Sequence, residues 1–399
     1  MFFGWYVVAG TFVAQMLVAG FLVYSVSLFV PLVRAEFAVS MAQVMQSMTA
    51  GTFAGMVLMP LAGVLFDRWP MRWIMSAGSG LFGLGLWAVA QSQTIGQYIL
   101  FFGLTMAVGN TLVGSPACQT VLARWFTKSR GRAMGISAIG TSLGGIAIPA
   151  LVVVLLESYG WRTALEILAS VALLVVLPIV VATVRGRPSD VGLQAEDAGA
   201  GNASGAVETA ITLGQILRNP CYWYIGIPLG LLFSAYTVGL VNIAPYAESL
   251  DVSPGAASSL IMAIAVMGFV GKLGFGVIAD RVNLKLALWV VMGLALFGFL
   301  LLASQPSYPV MLTATALMGL AAGGMVPVWG SMMAAAFGLL SYGRAMGLMG
   351  PLLTLLVLPS FTVVGVLFDM SGSYQLPLLI FSGVIALGML LLLPLRLPR

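Results

Sequence analysis

Twelve stretches of this chain are each long enough and apolar enough to cross a bilayer as a helix, and almost nothing charged interrupts them. About 20 residues suffice, because a helix advances 1.5 Å per residue and the hydrocarbon core is roughly 30 Å thick. The stretches are approximately 5–30, 42–66, 73–92, 96–123, 133–156, 163–184, 221–246, 254–279, 286–304, 308–337, 345–368 and 375–395. They are continuously apolar, whereas strands of a membrane barrel alternate over about ten residues, so a barrel is excluded. Charged side chains make up 7% of the 399 residues, against roughly 25% in soluble domains. A water-soluble globule of that composition could not cover its own surface. The expected class is an all-α membrane protein. The first run has full spanning length without a basic flank or an Ala-x-Ala site, so it is expected to stay as the first helix.

Chemistry is narrowed further by what is missing. Histidine is absent, which removes histidine metal sites, Ser-His triads and histidine proton switches. Cys118 and Cys221 lie in apolar runs without CxxC spacing and read as small apolar fillers. The 23 methionines are not gathered with cysteine, so they read as packing and not as a metal relay. No GxxxxGK[ST] sequence occurs, so ATP is not the energy source. The chain is not expected to be an enzyme, and no cofactor or metal is expected. The net charge of +5 needs no nucleic-acid partner, since cytoplasmic loops of membrane proteins collect Lys and Arg.

Orientation follows from the same rule. With both termini inside, fourteen of the 17 Lys and Arg fall in loops and tail on the inner side, among them Arg68, Arg124, Arg185, Arg281 and Arg344. Arg34 and Arg162 fall outside, and Lys272 stands within a span. The expected location is the cell inner membrane, multi-pass, with both termini cytoplasmic.

A polar segment from Arg185 to Pro220 contains Gly-Ala-Gly-Asn-Ala-Ser-Gly at 199–205 and reads as a flexible linker. It separates residues 1–184 from 221–399, two sets of six expected spans. The halves repeat each other. Gly63-Val-Leu-Phe-Asp67-Arg68 recurs as Gly276-Val-Ile-Ala-Asp280-Arg281 at an offset of 213, and Gly131-Arg132-Ala133-Met134-Gly135 recurs as Gly343-Arg344-Ala345-Met346-Gly347 at 212. Glu157 with Gly160 is echoed by Asp369 with Gly372, again at 212. Such repetition predicts two pseudo-symmetric six-helix bundles, twelve transmembrane helices in all.

With these loop motifs in both halves and the linker between them, the chain resembles the major facilitator superfamily, whose transporters are built from two six-helix halves. Four features are similar to its monocarboxylate porter and oxalate/formate antiporter branch. They are Gly4-Trp5-Tyr6-Val7-Val8, Ala123-Arg124-Trp125-Phe126 followed by Arg130-Gly131-Arg132, Tyr159-Gly160-Trp161-Arg162, and Ala244-Pro245-Tyr246-Ala247.

Lys272 lies eight positions before Asp280, hence about 12 Å deep in the core. A cation there costs at least about 2.5–3.5 kcal/mol, so it should face water or an anion. The resemblance implies that Lys272 is the carboxylate anchor: an Arg holds this place in the family, followed by a Gly four positions on, here Gly276. Residues 345–368 contain no second cation, which favours a monoanion over a dianion. Lysine replaces arginine's bidentate fork with a point charge. Tyr24 and Gly268 stand where the animal branch has a Lys and an Asp, so proton symport through that pair is not expected. Asn110, Asn242, Tyr24, Tyr236 and Trp329 are the remaining candidates for substrate binding, as polar or amphipathic groups near mid-span.

Asp67 and Arg68, with Asp280 and Arg281, are implied to be gate pairs that part as the halves rock, completed by Arg132 and Arg344. Glu166 follows Arg162 by four residues, so an i,i+4 ion pair is expected there, leaving Glu166 an outside candidate for a coupling proton. Gly103, Gly109 and Gly114, and Gly135, Gly140, Gly144 and Gly145, recur at helical spacings that let backbones approach. The expected function is a secondary active or facilitative transporter of a small monocarboxylate such as lactate or pyruvate, working by alternating access with the anion held by Lys272 between the halves. The alternative is an exporter of hydrophobic drugs or metabolites. A monomer in lipid is expected.

Overall fold

The computed structural model describes residues 2–126, 130–193, 212–279 and 283–395. Helices connected by short turns make up these residues, with no strand among them. Contacts divide the chain into two units, Met1–Val39 with Gln43–Ser204, and Ser40–Ala42 with Gly205–Arg399.

In the first unit α1 is Gly4–Phe37, α2 is Met41–Arg68, α3 is Met71–Ala90, α4 is Ile95–Trp125 and α5 is Ala133–Thr183. Two of the expected spans, the fifth and sixth, both lie in α5. They are interrupted at Gly160, where φ 77° and ψ 170° place the backbone in a region open to glycine. Helix α1 packs backbone to backbone on α5. A Cβ built on Gly140 would fall 2.4 Å from the Phe12 carbonyl oxygen, and one on Gly144 would fall 2.1 Å from that of Met16. Gly135, at the same helical spacing, has open space around it, so the expected contact is not made there.

Three π-helical turns interrupt this unit, at Gly20–Ser25 in α1, Gly109–Val113 in α4 and Ala172–Val176 in α5. Each leaves backbone groups displaced by one residue. At the first, the Ser25 hydroxyl donates to the Gly20 carbonyl at 2.7 Å, satisfying one of them. Such turns recur at functional positions.

In the second unit α6 is Pro220–Glu248, α7 is Pro254–Ala279, α8 is Leu284–Ala303, α9 is Tyr308–Phe337, α10 is Ala345–Ser371 and α11 is Gln375–Leu391. The start of α6 is set by Asn219, whose side chain accepts the Cys221 N–H at 2.9 Å. Helix α7 meets α9 at glycines: a Cβ on Gly323 would fall 2.3 Å from the Gly268 carbonyl oxygen and 2.6 Å from the Lys272 nitrogen. Gly372 ends α10 with φ 65°, the left-handed cap that glycine adopts without strain. Ser40–Ala42, which include the first two residues of α2, group with this unit and not with the rest of that helix, and Asp369 accepts the Met41 and Ala42 N–H groups at 2.9 Å each.

Among the described residues nine helices are long and apolar enough to cross a membrane, not twelve. The differences are specific. Ala133–Thr183 counts once although two spans were expected in it, α2 is not among the nine, and α11 has 17 residues, short of the set. Within the expected flexible linker a 3-10 turn forms at Pro188–Val191 and a short helix at Leu213–Arg218, and 194–211 lie outside the described residues. The surface is apolar where lipid would meet it, with Leu174 and Met370 75% and 77% exposed. No Asp, Glu, Lys or Arg is fully buried among the described residues.

Candidate functional site

Lys272 stands seven residues before the C-terminal end of α7, about 10 Å along the helix. Its side chain is half-buried, and its backbone is held by the close approach of Gly323 from α9. The same helix α9 carries Trp329, half-buried, with its ring edge-on to Phe233 of α6 at 6.4 Å between centroids. The Trp329 Nε1–H is buried and has no acceptor among the described residues. A buried donor left without an acceptor costs about 1–3 kcal/mol. Tyr236 is half-buried on α6.

Asn242, also on α6, is 4% exposed and donates from Nδ2 to the Val238 carbonyl at 2.9 Å, one turn back. It borders a narrow crevice of about 10 Å³ with Tyr246, Phe299 and Tyr374.

In the first unit Tyr24 and Asn110 both sit on π-helical turns, Tyr24 9% exposed and Asn110 half-buried. The two turns adjoin, since a Cβ on Gly109 would fall 3.0 Å from Leu22. The fold therefore groups Tyr24 and Asn110 in one unit, and Lys272, Trp329, Tyr236 and Asn242 in the other.

Of the expected gate residues, Arg68 is exposed at the end of α2. Asp67, Arg132 and Arg344 are on helices, with side chains outside the described residues, and Asp280 and Arg281 lie outside them altogether.

The expected Arg162 to Glu166 ion pair is replaced by another. Arg162 donates from Nε and Nη2 to Glu36 at 3.0 and 2.7 Å and from Nη1 to the Ala90 carbonyl, while the Trp161 indole donates to the other Glu36 oxygen. Glu166 accepts from Gln91 Nε2 at 2.6 Å instead. The reason is geometric: a planar guanidinium with five donors is satisfied better by a carboxylate and a carbonyl on neighbouring helices than by an acid on its own.

The sequence motifs found at helix ends prove to be ties within the scaffold. Trp125, fully buried, donates to the Arg185 carbonyl at 2.8 Å, and Arg124 Nη2 donates to the Phe66 carbonyl at 2.8 Å. Phe2, Phe3 and Trp5 pack on Trp125 and Phe126 with ring centroids 5.2–5.8 Å apart. Tyr246 of the Ala-Pro-Tyr-Ala segment donates to the Leu302 carbonyl at 2.5 Å.

A chain of buried polar groups escaped the sequence reading. Gln15 donates from Nε2 to Ser137 at 2.6 Å, Ser137 to Thr11 at 2.8 Å and Thr11 to the Val8 carbonyl at 2.9 Å, linking α1 to α5. The only signal in the sequence was a glutamine in the middle of the first apolar run.

Comparison with known proteins gives a family and a fold. The Major Facilitator Superfamily matches over residues 12–303 and 229–399. The chain is 26% identical to the fujikurins efflux protein of Gibberella fujikuroi over 335 residues, covering 82% of this chain and 68% of that one. It is 25% identical to monocarboxylate transporter 13 of Bos taurus over 389 residues, covering 96% and 87%. Its fold is similar to that of a bacterial homologue of the human lysosomal transporter Spinster in an inward-facing, unoccupied conformation, with a TM-score of 0.70 at 16% identity over 98% of this chain and 95% of that one.

Proposed function

The chain belongs to the major facilitator superfamily, and from that premise we propose that it carries a small monocarboxylate, of the lactate or pyruvate kind, by alternating access. Its general role is membrane transport, secondary active or facilitative, and it is not an enzyme. The observation that carries the substrate reading is the presence, on two helices that meet at Gly323, of a cation within α7 and of a buried indole donor on α9 that has no acceptor among the described residues. In the proposal the Lys272 ammonium holds the carboxylate and the Trp329 N–H donates to it. Likeness over nearly the whole length to a monocarboxylate transporter supports the same substrate class. The proposal includes twelve spans in two bundles, an inner-membrane location and cytoplasmic termini.

Uptake of labelled lactate into proteoliposomes tests it. Lys272→Gln should abolish saturable uptake and Lys272→Arg should restore part of it. Trp329→Phe should raise the lactate KM about tenfold while raising thermal stability by about 1 kcal/mol, because the orphaned donor is gone. Unchanged uptake in Lys272→Gln refutes the anchor. The likeness to a fungal efflux protein favours a second reading, export of a hydrophobic metabolite. On that reading Lys272→Gln keeps transport and carboxylates do not compete.

A further inference from the structure

The first unit holds a second polar feature, apart from the residues proposed to hold the monocarboxylate. Where α2 ends and the chain leaves α5, a cavity of about 190 Å³ is lined by Arg68, Trp69, Arg124, Gly186, Arg187 and Asp190, together with Pro70. Its walls are built by the fold. Trp125 pins the Arg185 carbonyl, Arg124 is fixed on the Phe66 carbonyl, and the Asp190 carboxylate accepts the Arg187 N–H at 2.9 Å. Gly186 is pressed in so closely that a Cβ would fall 3.1 Å from Asp190 Oδ2 and 3.3 Å from the Met71 nitrogen.

The charge is one-sided. Three guanidiniums line the cavity, and Arg185 and Arg72 adjoin it, against one carboxylate among the described lining residues. Burial, and then the charge of Arg72, hold the Arg185 guanidinium below its ordinary value, with Asp190 acting the other way. Like charges gathered this closely repel, and the arrangement becomes favourable when an anion with several acceptor oxygens enters it. Arg72 rests on the Trp73 ring at 5.2 Å, and Trp69 and Trp73 are 61% and 58% exposed, the placement of aromatic anchors at headgroup depth.

We infer that this cavity binds a phosphate group through Arg68, Arg124 and Arg187. Phosphate reaches it from an anionic phospholipid headgroup or from free phosphate in solution, and the tryptophans beside it fit the headgroup. The site is separate from the one built on Lys272 and stands or falls without it.

The full chain, purified in a neutral detergent, is titrated at constant ionic strength with dioctanoylphosphatidylglycerol, dioctanoylphosphatidylcholine or sodium phosphate, reading the unfolding temperature. Phosphatidylglycerol should raise it and phosphatidylcholine should not. Arg68→Gln and Arg187→Gln, both at exposed positions, should each weaken the apparent affinity about tenfold, the size of one charge-assisted hydrogen bond. Arg218→Gln, which removes the same charge from the second unit, should leave it unchanged. A shift with sodium phosphate alone, lost in Arg68→Gln and Arg187→Gln, assigns the site to the free anion. Equal responses in Arg68→Gln, Arg187→Gln and Arg218→Gln, or no response to either phosphate source, overturn the inference.

Discussion

Adding one methyl group to α5 should have opposite effects at two glycines nine residues apart. At Gly144 the new Cβ would stand 2.1 Å from the Met16 carbonyl oxygen and 3.1 Å from the Gly20 nitrogen, both backbone atoms of α1 that no rotamer change can move. Ordinary C···O contacts begin at about 3.3 Å, so α1 and α5 must part by about 1 Å at this point. Overpacking of this kind costs about 1–3 kcal/mol, of which the better helix propensity of alanine returns at most about 1. That leaves about 0–2 kcal/mol, so at about 2–4 °C per kcal/mol for a unit of this size Gly144→Ala should lower the unfolding temperature by up to about 8 °C. Gly135→Ala meets nothing within 4 Å and should raise it by about 2–4 °C. The assay is intrinsic tryptophan fluorescence of the purified chain during a thermal ramp at fixed scan rate. An unfolding temperature for Gly144→Ala equal to or above that of the wild type would show that the helices do not touch there and refute the packing described.

Two further expectations use the same assay. Glu36→Ala strands the Trp161 indole, 6% exposed, at about 1–3 kcal/mol, while the ion pair itself adds at most about 1 because the Arg162 and Glu36 side chains are 34% and 40% exposed. Glu36→Gln keeps an acceptor and should lose far less; equal losses in the two variants would put the energy in the charge instead. Of the repeated pair of glycines, Gly372→Ala should cost about 1–2 kcal/mol, since φ 65° and ψ 8° lie near the left-handed region. Gly160→Ala at φ 77° and ψ 170° should cost more, about 1–3 kcal/mol or above. The reverse order of the two would contradict the backbone geometry.

The repeat read from the sequence has a backbone counterpart that the sequence does not display. Gly160 and Gly372, 212 positions apart, both take positive φ, as the echoed motif implied. Ala38 and Asp251, 213 apart, also take positive φ, at 51° and 57°, just beyond α1 and α6. An alanine and an aspartate share no letter, so that correspondence is legible only in the chain's conformation. The helix-end motifs were legible but their purpose was not. Trp125, Arg124, Trp161 and Tyr246 all bond to atoms far along the chain, and those partners, Arg185, Phe66, Glu36 and Leu302, are separated from them by between 56 and 125 residues.

Composition alone settled the solvent: a chain with 7% charged residues and helix-length apolar runs has to satisfy its backbone internally, and in lipid a helix does so without reference to its neighbours. That is why the class of fold, the family likeness and the place of Lys272 within a helix could be read from letters. Side-chain partnerships obey no such local rule. Whether Arg162 turns to Glu166 or Glu36, whether Gly144 but not Gly135 meets a backbone, and whether Trp329 finds an acceptor depend on which helices lie alongside. Apolar surfaces attract without direction, so many helix pairings satisfy the pattern, and only the interlocking of particular side chains in three dimensions selects one.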